Sequence, residues 1–329
     1  MKHINVALFV PHLGCPNTCI FCNQKTISGK CGELKKREII SSVETAIKTP
    51  HSIHNSEIAF FGGSFTAIER EKMISYLETA SVYIGKDFGG IRISTRPDAI
   101  DEEILAILKK YGVSSIELGA QSMSDDVLAL NERGHTAEDT RKAAGLIKEN
   151  GFSLGLQMMT GLYGSSREKD MYTARQFVEL KPDTVRIYPT VVLENTKLAE
   201  YYEKGMYTPE TLEESVEKCS ILLELFRSNS IKVIRLGLHS GGNVEDGFIA
   251  GVYHPAFGEL CEARVYRNLA LSQLEAMQKG NYTVFVNPRV ISKMTGQKKS
   301  NIEFFREKGY LLKIKGDETL TEYQIKITK

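Results

Sequence analysis

Short apolar runs and amphipathic stretches take turns along the first part of the chain. Ile4–Val10 is apolar but for Asn5, the pattern of a buried first strand. Leu34–Lys48 carries Ile39, Ile40, Val43 and Ile47 at helical spacing. Glu57–Phe61 predicts a second strand, ending in Gly62-Gly63-Ser64-Phe65-Thr66, and Glu69–Val82 a helix. Ile91–Ser94 predicts a third strand, closed by Thr95-Arg96-Pro97-Asp98. The acidic start Asp101-Glu102-Glu103 suits a helix N-terminus running to Tyr111. Ser115–Leu118 predicts a fourth strand, followed by helical stretches at Asp125–Asn131 and Ala137–Asn150, with Gly151 as a stop. Ser153–Met159 and Thr184–Tyr188 predict strands five and six, with a helix over Arg167–Leu180 between them.

Six alternations of strand and helix argue for parallel βα units, whose ligands bind at the carboxyl ends of the strands. Polar and glycine-rich clusters recur at those ends. After Pro189 the pattern changes. Leu198–Lys204, Leu212–Asn229 and Glu259–Lys279 read as helices, Lys232–Leu236 as a further strand, and Leu238–His254 as an irregular, glycine-rich stretch.

Composition narrows the class. The 329 residues suffice for a sizeable core, and a single α/β barrel can use them all. Formal net charge is +1, so no global field points to nucleic acid or membrane. No apolar run reaches the ~18–20 residues of a membrane span. The first apolar run stops at Pro11 without a cleavage-site pattern, so no secretory signal is expected. Six cysteines, three of them clustered, do not read as a disulfide scaffold, and a reducing cytoplasm is the expected compartment.

The cluster is Cys15, Cys19 and Cys22, a C-x3-C-x2-C triplet at the end of the first predicted strand. Soft thiolates select iron–sulfur clusters, zinc or Cu(I). A closed structural site wants four ligands, and no fourth Cys or His lies at conventional spacing. Three ligands suit a cluster with one open iron. A structural zinc completed by Cys31, Cys219 or Cys261 is the alternative, as is a chance group of buried thiols.

The triplet, with Phe21 before its last cysteine, resembles the signature of the radical S-adenosylmethionine (SAM) superfamily. Gly62-Gly63-Ser64 is similar to the glycine motif after that family's second strand, with Ser64 where an acid is common. A closer resemblance is to the radical-SAM domain of the Elongator catalytic subunit. It rests on Gly63-Ser64-Phe65, Thr95-Arg96-Pro97-Asp98, Glu117-Leu118-Gly119-Ala120-Gln121-Ser122, Asn131-Glu132-Arg133-Gly134-His135-Thr136 and Arg186-Ile187-Tyr188-Pro189-Thr190, over roughly residues 4–270. Oxygen-independent coproporphyrinogen oxidases are more distantly similar.

The resemblance implies an α/β fold with three parts. A partial (β/α)6, TIM-like radical-SAM barrel occupies residues 1–190. A helical C-terminal extension packed on it takes 191–280, and a small α+β end module takes 281–329. It also implies an enzyme with a 4Fe-4S cluster on Cys15, Cys19 and Cys22, whose open iron chelates SAM. Reductive cleavage would then give a 5′-deoxyadenosyl radical for hydrogen abstraction, with an external flavodoxin- or ferredoxin-like electron donor. Gly62 and Gly63 can bring backbone carbonyls to the methionine ammonium, though the same residues also suit a tight βα turn. Gln121 both donates and accepts, which suits ribose hydroxyls. Arg133 can pair bidentately with the SAM carboxylate. Ser64, Ser94, Gln157 and the backbone of Phe21 complete the expected cofactor contacts. Gln157 reads equally as a satisfied strand-end residue and Phe21 as core.

Arg96 and His239 are the candidates for catalysis. Arg96 alternatively pairs with Asp98, and His239 sits in a glycine-rich loop, Ser240-Gly241-Gly242-Asn243. His135 is expected to hold the Arg133 loop. From Asn287 to Lys329 there are ten Lys/Arg against five Asp/Glu, and Gly296–Asn301, near Phe304, Phe305 and Arg306, is a candidate RNA contact. A solvated charged face explains the same residues. The expected function is a radical alteration of a tRNA wobble uridine. The chain ends where the Elongator subunit continues into an acetyltransferase domain, so a different final product is expected. A porphyrinogen-like small molecule is the alternative substrate. A non-catalytic RNA-binding iron–sulfur protein is the alternative class.

Overall fold

A computed structural model describes residues 5–10, 15, 18–23, 32–49, 56–238 and 244–329. The elements in order begin with β1 (Asn5–Val10), α1 (Lys36–Ile47), β2 (Glu57–Gly62), α2 (Arg70–Ser81), β3 (Gly90–Thr95) and α3 (Glu102–Lys110). They continue as β4 (Val113–Gln121), α4 (Asp125–Leu130), α5 (Ala137–Glu149), β5 (Ser153–Thr160), α6 (Arg167–Leu180), β6 (Thr184–Pro189), β7 (Val191–Leu193) and α7 (Lys197–Glu203). The remainder is α8 (Leu212–Ser228), β8 (Lys232–Leu236), β9 (Phe248–Gly251), α9 (Phe257–Leu274), β10 (Gly280–Val286), α10 (Ile291–Thr295), α11 (Ser300–Glu307), β11 (Tyr310–Gly316) and β12 (Ile325–Thr328). The chain forms two compact units, Met1–Glu210 with Ser230–Val252, and Thr211–Asn229 with Tyr253–Lys329. Among the described residues no helix is long and apolar enough to cross a membrane.

The first unit is built on a seven-stranded parallel sheet in the order β1-β2-β3-β4-β5-β6-β8. It curls into an open half-barrel. The six strands expected to form the barrel are present, and Lys232–Leu236 pairs with β6 to add a seventh. Alternation along each strand decides which face meets the helices. Leu8, Ile58, Phe60, Ile93, Ile116, Leu118, Leu156 and Ile187 are fully buried on one face. Each such side chain contributes about 1.5–3 kcal/mol relative to exposure. The intervening positions, Glu57, Arg92, Glu117, Gln157 and Arg186, share the opposite, concave face. Helix starts are set locally: Asp101 accepts the Ile104 amide at 2.7 Å, and Thr136 with Asp139 closes a capping box at α5.

In the second unit α8 and α9 pack on each other. A three-stranded sheet, order β11-β10-β12, buries Val284, Val286 and Tyr310 in a core with Tyr266, Ala270, Leu274, Met294 and Phe305. Cys219 and Cys261 are buried here and hydrogen-bonded to each other.

Candidate active site

The carboxyl ends of β1 to β5 bring the site together. Gly62 closes β2 with φ +109°, and a Cβ there would lie 2.7 Å from the Val10 carbonyl oxygen. Only glycine fits this crossing. The Gly63 amide donates to the same Val10 oxygen at 2.8 Å. The Gly-Gly turn is thereby fastened to the last residue of β1, from which the cysteine segment departs. Ser64 is buried; its Oγ bonds Thr95 Oγ1 at 2.8 Å and accepts the Arg96 amide at 3.0 Å. Its hydroxyl therefore ties β2 to β3.

The cysteine segment is anchored from its other side. The Ile20 amide donates to the Asn131 carbonyl at 3.3 Å, and the Leu198 amide to the Ile20 carbonyl at 2.8 Å. Asn131, fully buried, donates through Nδ2 to the carbonyls of Val127 and Tyr163. Phe21 packs as core with Ile20, Val127, Leu162 and Val192. The Cys22 amide donates to the Cys19 carbonyl at 3.0 Å, which curls the segment into a turn.

Arg133 reaches across this turn. Glu132 and Gly134 on either side of it hold positive φ, 53° and 70°. Nη1 donates to Cys19 Sγ at 3.0 Å and Nη2 to the Gly119 carbonyl at 2.6 Å. Gln121 has φ +65°, at a register shift in the β4–β5 pairing. Strained backbone of this kind persists where the surroundings over-determine it. Gln121 Oε1 and Arg133 Nε are both buried without a protein partner. An unmet acceptor and an unmet cationic donor thus lie at one rim with Cys19. They match a ligand carrying hydroxyls and a carboxylate.

The thiols fit a cationic centre. Burial pushes Cys22 up to about 12, with further upward pushes from Cys19 and Cys15 and only Arg133 acting the other way. Negative charge on these thiols calls for a positive centre beside them, which a bound metal would supply. Among the described residues no three Cys, His, Asp or Glu side chains are already grouped as a metal site. Cys31 lies outside the described residues, as does the catalytic candidate His239 with its Ser240–Asn243 loop.

Other expected residues have partners of their own. Arg96 forms a bidentate pair with Asp98, at 2.5 and 2.8 Å, and donates to the Arg133 carbonyl at 3.1 Å. Its guanidinium thus braces the Arg133 loop. Gln157 Nε2 donates to Glu117 Oε2 at 2.9 Å and approaches Ser94 Oγ at 3.5 Å. Asn301 is buried and donates to the carbonyls of Ala263, Lys293 and Met294, and Phe305 is core. Burial removes both from the expected RNA contact, while Lys298 and Lys299 stay exposed.

His135 holds the Arg133 loop as expected, with Nε2 3.2 Å from the Ala120 carbonyl. Burial, then the charge of Arg133, lowers it to about 4. The ring is neutral at pH 7, so Nε2–H donates. An unfolded histidine titrates near 6.5, so between these values the unfolded chain binds the extra proton. Stability from this residue is complete above pH 6.5 and is lost as the pH falls toward 4, by about 3 kcal/mol. Urea unfolding of the cluster-free protein checks this. His135→Gln should flatten the decline between pH 7 and pH 4, and an unchanged slope would refute the assignment.

The residues that pattern reading did not single out lie on the concave face. Glu117, 1% exposed, accepts from Arg92 at 3.0 Å, from Arg186 at 2.7 and 2.9 Å, and from Gln157. Arg92 also pairs with Glu57 at 2.7 Å, and the Arg186 guanidinium lies 5.2 Å from the Phe61 ring centre. The available signal was charge at alternate positions of otherwise apolar strands.

A parallel half-barrel with a three-thiol segment after its first strand and a glycine turn after its second defines a class of cluster-bearing, SAM-dependent enzymes. Residues 9–177 match the Radical SAM superfamily, and residues 182–267 match the Radical_SAM C-terminal domain. The chain belongs to the radical SAM superfamily and is a radical SAM enzyme. It is 31% identical over 196 residues to a protein named tRNA uridine(34) acetyltransferase from Methanocaldococcus jannaschii, covering 53% of this chain and 36% of that one. It is 29% identical over 204 residues to Elongator complex protein 3 of Homo sapiens, covering 56% and 37%. The fold is shared with archaeal Elp3 of Methanocaldococcus infernus, solved with an N-terminal deletion, at TM-score 0.65 and 24% identity over 83% of this chain and 63% of that one. The chain spans 36% to 37% of the length of these two curated relatives.

Proposed function

We propose that this enzyme holds a 4Fe-4S cluster on Cys15, Cys19 and Cys22, binds SAM across the adjoining rim, and alters a wobble uridine of tRNA. The observation that carries the SAM reading is the pair of buried, unmet groups, Gln121 Oε1 and Arg133 Nε, beside Cys19. When bound, the cluster and SAM would supply the electron and the radical chemistry for hydrogen abstraction. The chain's own residues hold and orient. Arg133 takes the carboxylate, Gln121 a ribose hydroxyl, and the carbonyls of Gly62 and Gly63 the ammonium. Arg96, through Asp98 and the Arg133 carbonyl, keeps the Arg133 loop in place. The Glu117 network fixes a polar floor on the concave face. The names of the curated relatives support tRNA as substrate.

Anaerobic reconstitution followed by incubation with SAM, a reductant and tRNA tests the proposal. About four irons per chain are expected, with release of 5′-deoxyadenosine and a changed mass for one uridine in the digested tRNA. One tightly held zinc and no sulfide would refute the cluster. Deoxyadenosine release with unchanged tRNA nucleosides would refute the substrate.

A further inference from the structure

Among the described residues of the second unit, helices α9, α10 and α11 pack on one face of its three-stranded sheet. Its inward residues are Tyr282, Val284, Val286, Tyr310, Ile314, Ile325 and Ile327, all part of one apolar core with Tyr266 and Phe305. Strand alternation sends the others to the opposite face. There Phe285, in the central strand, stands in register between Lys315 on β11 and Lys326 on β12. Thr283, two residues away, stands between Lys313 and Thr328. Phe285 is half-buried, and the three lysines are exposed. An open concavity of about 360 Å³ runs alongside, lined in part by Asn281, Thr283, Leu311, Lys313 and Lys329.

The charge on this face is one-sided. None of β10, β11 and β12 contains an acidic residue. Asp317, in the turn after β11, senses Lys326, but its carboxyl is held below the usual range chiefly by hydrogen bonds from Thr319. An aromatic ring at the centre of an open sheet, with ammonium groups on both flanks, is the arrangement that stacks an unpaired base and neutralises the phosphates beside it.

We propose that this face, centred on Phe285 with Lys313, Lys315 and Lys326, binds single-stranded RNA of the tRNA substrate. The proposal rests on the tRNA reading above and supplies its contact surface. It moves the RNA contact from Gly296–Asn301 to the sheet.

Fluorescence anisotropy of the full chain with a labelled anticodon-arm RNA and a labelled oligouridine tests it. A Lys313→Glu, Lys315→Glu, Lys326→Glu variant should lower the log–log salt slope of binding by about 2, at roughly 0.7 per lost single-strand phosphate contact. Phe285→Thr, which keeps strand propensity, should weaken binding about tenfold with the slope unchanged. Both variants should keep the wild-type urea midpoint and uncoupled 5′-deoxyadenosine release. Wild-type RNA binding that neither variant alters would overturn this face and leave the tRNA reading standing. No RNA binding by the wild type would overturn both. Lysine-dependent binding to phosphatidylserine vesicles that RNA does not compete away would overturn the RNA assignment.

Discussion

Cys19→Ala is expected to leave a folded protein that releases no 5′-deoxyadenosine from SAM. Cys19 is the buried member of the triplet, 8% exposed, and its sulfur accepts from Arg133. Removing it leaves two thiols, too few to retain a cluster, so iron per chain should fall with activity. Arg133→Met separates ligation from binding. The three thiols remain, so iron content should stay near wild type. The unmet cationic donor proposed to take the SAM carboxylate is lost, so apparent SAM affinity should drop tenfold or more. Iron analysis and deoxyadenosine release against SAM concentration read the two effects apart. Wild-type turnover by Cys19→Ala would refute the assignment of the site.

Glu117→Ala is expected to destabilise the first unit by about 3–5 kcal/mol. The carboxylate accepts four hydrogen bonds, from Arg92, twice from Arg186, and from Gln157. Burial works against charge on Arg186, and Glu117 more than compensates, so that arginine's pKa is raised. Truncation leaves two buried guanidinium groups short of a counter-charge. Gly155 shows how closely the carboxylate is accommodated, since a Cβ there would sit 2.7 Å from Glu117 Cγ. Glu117→Gln keeps the shape and some hydrogen bonds, so its loss should be smaller. Urea unfolding reads both, and a loss below about 1 kcal/mol for Glu117→Ala would show that Glu57 alone can balance Arg92. As a contrast, Lys197→Ala, which removes the exposed pair with Glu132, should shift the urea midpoint little.

Much of this was legible along the chain. Apolar alternation located the six strands, because a strand buried against helices must present apolar side chains to them. The C-x3-C-x2-C spacing narrowed the choice to few kinds of thiolate chemistry, because three close thiols have few uses, and the family resemblance narrowed it further. Ser115–Leu118 predicts a shorter strand than the observed Val113–Gln121, because Gly119 and Gln121 carry the chemistry of a loop yet lie within the strand. The left-handed backbone at Gln121 has no propensity signal, since tertiary packing imposes it.

Local sequence was thus enough to settle the parallel α/β class, the cysteine segment, and the glycine turn beside it. Each depends on residues within a few positions of one another. Folding alone decided that Arg133 meets Cys19 across 114 positions, that Arg96 reaches the Arg133 carbonyl, and that Glu117 gathers Arg92 and Arg186. It also decided that Phe285 lies between two lysines distant in sequence. These pairings follow from strand order and register, which bring together side chains that no local pattern relates.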